Sequence, residues 1–189
     1  MNRLKAFCTI FCASIAIEAH PQNIVTNGSF EDGWNNGPVG WGWTTNIALG
    51  EGFSGAADGT CEVDLYGTLF QTLHTTIGQK YEVRYAVSGN SGFPGVSVIG
   101  LTWGGHFIGN TTWTSPNTTG NGLNWDWVYG DFTVVADSAS TVISFQGYGT
   151  SWKPSMDAVS VVAIPEPGVV GLAVFGLIGC WCRHRRAKL

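Results

Sequence analysis

The most constraining feature of this chain is a strict two-residue alternation in its middle. Tyr81, Val83, Tyr85 and Val87 are apolar or aromatic, and Glu82, Arg84 and Ala86 stand between them. That period places one set of side chains on a single face of a strand, whereas a helix would scatter them. Gly, Pro and Asn clusters interrupt the chain on either side, at 35–40, 89–95 and 115–124. Candidate strands lie at 62–65, 70–74, 80–88, 96–103, 128–136, 141–147 and 158–162. Several short strands separated by such turns predict an all-β, antiparallel jelly-roll β-sandwich. Gly (27) and Trp (9) are over-used while long helical periodicities are absent, which points the same way. No internal repeat is present, and nothing between 20 and 163 marks a second domain.

Charge is sparse, at 12% of residues, and it is segregated. Arg3 and Lys5 stand at one end, and Arg183, Arg185, Arg186 and Lys188 at the other. Between His20 and Ile164, eleven acidic residues against three basic ones give a formal charge of −8. Such a body repels phosphate backbones, so nucleic acid is excluded as a partner.

The two ends read as address labels. Residues 1–19 form a signal peptide, with Arg3 and Lys5 as the charged start and 6–17 as the apolar stretch. At the other end, Pro165-Glu166-Pro167 precedes an uncharged run, 168–182, and then the Arg183, Arg185, Arg186 cluster. Fifteen residues rise about 22 Å as a helix, short of the roughly 30 Å hydrocarbon core. Such a short hydrophobic helix would hold the chain at a membrane transiently, with the basic cluster left in the cytoplasm. This three-part tail, 164–189, resembles the PEP-CTERM sorting signal of Gram-negative bacteria. The resemblance implies a membrane-embedded exosortase as partner, tail processing, and export to the cell envelope, cell surface or extracellular matrix. Removing both ends leaves Cys61 as the body's one cysteine, so neither an internal disulfide nor a cysteine zinc site is available.

Stretches of the body carry a second resemblance. In order they are Asn27-Gly28-Ser29-Phe30-Glu31, Trp41-Gly42-Trp43-Thr44, 57–67, Gln71-Thr72-Leu73 before 75–81, Ser88-Gly89-Asn90 before Pro94-Gly95-Val96, Trp127 five residues before Phe132, and Met156-Asp157-Ala158-Val159-Ser160-Val161. That order is similar to the galactose-binding-like jelly rolls of the DUF642 and choice-of-anchor type, relatives of several carbohydrate-binding modules. The resemblance implies a structural Ca²⁺ joining Glu31 to Asp157, with Asp64 or Asp58 adding an oxygen. Calcium takes six to eight oxygen ligands; the alternative is that these carboxylates cap turns. Relatives often carry an acid or Asn where this chain has Ala158, and residues 101–124 align with nothing in the family.

No catalytic constellation is visible. His74 and His106 lie in no nucleophile motif, and the sequence places no two carboxylates at a glycosidase separation. The chain is therefore expected to be non-catalytic, with a glycan hydrolase as the less favoured reading. Sugar binding fits better, because flat aromatic rings match the C–H faces of sugars and amides match their hydroxyls. Trp103, His106, Trp113, Trp125, Tyr148 and Trp152 are the expected ring contacts, with Asn110, Asn124 and Asp126 as polar partners. Trp41, Trp43 and Trp127 are assigned to the core. The preferred expectation is an exported domain that binds extracellular polysaccharide; the alternative is a structural or adhesion protein contacting other proteins.

Overall fold

The alternation beginning at Tyr81 becomes an interior strand of one of two antiparallel sheets in a computed structural model. The structure describes residues 22–32, 42–45, 50–52, 55–65, 67–89, 94–115, 126–150 and 154–165. The first sheet runs in the order β1 (Thr44–Thr45), β4 (Thr68–His74), β9 (Ser140–Gly149), β6 (Val96–Trp103), β7 (His106–Thr114). The second runs β2 (Gly50–Gly52), β3 (Glu62–Asp64), β10 (Pro154–Ala163), β5 (Lys80–Gly89), β8 (Val128–Val135). Every pairing is antiparallel, as expected of the jelly-roll sandwich. Among the described residues no helix is long and apolar enough to cross a membrane. The proposed signal peptide, the apolar run, Glu166, Pro167 and the Arg183, Arg185, Arg186 cluster lie outside them.

The core forms where the inward residues of the two sheets meet. Tyr81, Val83, Tyr85 and Val87 from β5 face Ile99 and Leu101 from β6 and Ile143 and Phe145 from β9. Phe145 is its aromatic hub, edge-on to Tyr85 at 4.9 Å and to Trp43 at 6.1 Å. Such pairs add about 0.5–1.5 kcal/mol each beyond the area they bury. The Tyr85 hydroxyl accepts from Thr111 Oγ1 at 3.0 Å, and burial pushes its pKa up to about 12. Trp43 is in the core as expected, its Nε1 donating to the carbonyl of Asn27. Trp127 is half-buried, and its Nε1 donates to Gly55 at 2.7 Å.

Three features depart from the sequence reading. Residues 106–114, which lie outside the candidate strands, form the regular strand β7 at the edge of the first sheet. The far half of β5 is buried on both faces. Ala86 and Ser88 are as inaccessible as their inward neighbours, because the 55–61 segment and the residues before β8 cover that side. The closing strand β10 also shifts register between Asp157 and Ser160, with Ala158 at φ +51°. The left-handed region is costly for a residue with a Cβ and suits Gly, Asn or Asp better than Ala.

Candidate functional site

The outward face of the first sheet is assembled by pairing of distant segments. Gly100 on β6 stands opposite Asn110 on β7 and Gln146 on β9. In the next row, Thr102 lies between Phe107 on β7 and Ser144 on β9, and Ser144 in turn pairs with Phe70 on β4. Tyr148, Val98 and Thr112 form the row on the other side. Neighbouring strands are about 4.8 Å apart, so these side chains share one continuous surface.

Gly100 is the low point of that surface. A Cβ there would lie 3.1 Å from Asn110 Oδ1 and 3.5 Å from both the Phe107 and Tyr148 rings. The two rings therefore flank one backbone position, and both remain exposed, Phe107 at 65% and Tyr148 at 45%. The Tyr148 hydroxyl donates to Asn110 Oδ1, which fixes ring and amide relative to each other. A pocket of about 400 Å³ continues the face past Thr102 and Ser144, where Asp137 and Ser138 add polar atoms. Aromatic faces beside hydroxyl and amide groups are the donor set that sugar recognition uses.

Of the expected sugar contacts, Asn110 and Tyr148 meet on this face. Trp103 and Trp113 are corrections. Trp103 is 4% exposed, with Nε1 donating to Val135 and its ring 5.8 Å from Tyr81. Trp113 is 1% exposed and packs so close to Gly89 that a Cβ there would sit 2.7 Å from its ring. Both occupy inward positions of their strands, so neither ring has a face for a ligand. His106 is exposed at the turn end of β7, opposite Trp103. Asp126 precedes β8 in the other sheet, and its carbonyl accepts from Ser88. Asn124, Trp125, Trp152 and Trp41 lie outside the described residues. Phe107 was missed. The signal was hidden by the register shift between Leu101 and Thr102, which changes which side of β7 faces out.

The expected calcium ligands have other work. Glu31 Oε1 accepts from the backbone N–H groups of Thr60 and Cys61, both at 2.6 Å, and Oε2 accepts from Thr60 Oγ1. Those bonds, the Cys61 N–H first, hold its pKa below the usual carboxylate value. Asp157 Oδ2 accepts from Ala57 and Asp58 at 2.8 Å, and Oδ1 from Ala158. Burial nevertheless raises its pKa to about 6. Asp64 Oδ1 accepts from Ser155 Oγ. The opening and closing motifs do meet, as the resemblance implied, but they meet by clasping opposite ends of the 57–61 segment. N–H groups turn their positive ends to these oxygens, so the donor set fits a turn clasp and not a calcium ion. Among the described residues, no three His, Cys, Asp or Glu side chains are placed to hold a metal.

Glu62 is a different matter, and no local pattern marks it. It is 1% exposed on the β3 strand, and neither carboxylate oxygen has a hydrogen-bond partner. Burial, then the charges of Asp64 and Asp157, raise its pKa to about 8. Three carboxylates are thus gathered on one face, but Glu62 and Asp157 are inaccessible to a glycan.

No protein-family model and no curated protein matches the chain. Solved structures do. The CBM22-1 xylan-binding domain of Paenibacillus barcinonensis Xyn10C aligns with a TM-score of 0.54 at 11% identity, over 77% of this chain and 97% of that one. The module TmCBM61, solved with β-1,4-galactotriose, aligns at 0.49 and 14% identity, over 76% and 99%. A cycloisomaltooligosaccharide glucanotransferase from Paenibacillus sp. aligns at 0.42 and 15% identity over 61% of this chain, which spans only 17% of that enzyme. At these identities the likeness is one of fold: a two-sheet β-sandwich of the architecture that carbohydrate-binding modules use.

Proposed function

We propose that the domain is a non-catalytic polysaccharide-binding module whose site is the outward face of the first sheet. The observation that carries this is the pair of exposed rings, Phe107 and Tyr148, flanking Gly100 beside Asn110. Exposed aromatic side chains cost free energy in water, and on this face they are held in place by strand pairing and a hydrogen bond. A sugar ring laid across the exposed parts of these two rings, above the buried Gly100, would place its hydroxyls near Asn110 and Gln146. The likeness in fold to the CBM22-1 xylan-binding domain supports the same ligand class.

The resemblance of the tail completes the reading. The chain is exported behind its signal peptide, engages an exosortase-type enzyme through Pro165-Glu166-Pro167, and acts at the surface or in the matrix of a Gram-negative bacterium.

Affinity electrophoresis in polysaccharide gels tests the site. Each of Phe107→Ala and Tyr148→Ala is expected to weaken retention about tenfold, which corresponds to about 1.4 kcal/mol for one lost ring contact. Both side chains are exposed, so thermal unfolding should change little. Unchanged retention with both rings removed would refute this location.

A further inference from the structure

Resting on that reading of the site, the structure assigns the ligand to one chemical class: an uncharged polysaccharide, not a uronate-bearing, sulfated or amino-sugar polymer. Among the described residues, no Asp, Glu, Lys or Arg stands at an outward position of β1, β4, β9, β6 or β7. Those positions hold Thr, Ser, Asn, Gln, Val, Gly, Phe and Tyr, with His74 at the far end of β4. The outward face of the other sheet differs: Lys80, Glu82, Arg84 and Asp131 stand there, and Arg84 pairs with Asp131 at 3.7 Å. The strands of the first face thus carry no charge, and the nearest acid is Asp137, in the loop before β9 where it lines the adjoining pocket.

Two physical consequences follow. An acidic polymer needs a cation to replace the water it loses on binding, and the described residues of this face offer none. The body's formal charge of −8 adds a long-range repulsion against such a polymer. A cationic polymer would be drawn to the acids of the other sheet and the loops, Asp137 included, and not to the rings. Neutral hydroxyls, in contrast, are matched by Ser144, Thr102, Gln146 and Asn110 without any charge being desolvated.

The test uses the full chain in affinity gels containing neutral xylan, galactan or β-glucan against polygalacturonate, a sulfated galactan and chitosan, each at 50 mM and 500 mM NaCl. The expected result is retention by at least one neutral polymer, at least tenfold stronger than by any charged one, changing less than twofold with salt. That retention should be lost in the Phe107→Ala, Tyr148→Ala double variant. Retention by a charged polymer that falls with salt yet still needs both rings would overturn the assignment while keeping the site. Retention by no polymer, or retention indifferent to the double variant, would overturn the site reading as well.

Discussion

Replacing Glu62 by Gln isolates the least compensated group in the fold. The wild-type carboxyl is 1% exposed, has no hydrogen-bond partner, and faces Asp64 and Asp157. It therefore holds its proton up to a pH of about 8, whereas an ordinary glutamate releases it near 4.5. Because the folded pKa is the higher one, the unfolded chain loses the proton first, and stability falls as pH rises from about 4.5 to about 8. Each pH unit in that window costs about 1.4 kcal/mol, so by pH 7 the folded state has lost about 3 kcal/mol relative to pH 4. Gln keeps the shape, carries no titratable proton, and turns an amide towards two carboxylates. Urea unfolding followed by circular dichroism at pH 4, 5, 6, 7 and 8 gives the comparison directly. The two proteins should be within about 1 kcal/mol at pH 4, and Glu62→Gln should be ahead by about 3 kcal/mol at pH 7. Parallel curves between pH 5 and 8 would mean that the buried group is neutralised by something other than its own proton.

Three further outcomes follow from the same structure. Trp113→Ala empties a core position packed against Gly89 and should cost about 3–5 kcal/mol in chemical unfolding; a loss below 1 kcal/mol would contradict its placement. Ala158→Gly relieves φ +51° at the β10 irregularity and should raise stability by about 1 kcal/mol, read as a higher urea midpoint, whereas a lower midpoint would show that the strain is compensated there. Glu31 titrates in the opposite sense to Glu62: its lowered pKa contributes stability that is present above the ordinary value of 4.5 and lost as pH falls through the folded one. Glu31→Gln should therefore flatten the acid limb of the stability curve and speed proteolysis within 55–61, and an unchanged acid limb would refute the clasp.

The strand pattern was readable from the chain because it is local. Alternation at 80–88 and the apolar stretch at 96–103 need no partner to be recognised, and both became strands with those boundaries or nearly so. The inward role of Trp43 was also readable, since it sits in a motif beside a strand. Strand β7 was not, because its Gly, Asn and Thr content looks like a turn, and only pairing with β6 makes it regular.

The sites divide along the same line. The sequence alone determined the period, the uncharged stretches and the acidic balance of the body, since all of these are properties of residue order. Tertiary structure decided which aromatic residues face water. One register shift in β6–β7 pairing turned Phe107 out, and strand phase turned Trp103 and Trp113 in. It also decided what the acids do. Glu31 and Asp157 found N–H groups within reach, whereas Glu62, one residue beyond the same segment, was sealed in without any. Solvent exposure and hydrogen-bond partners are set by segments that meet across the fold, and no local pattern encodes that meeting.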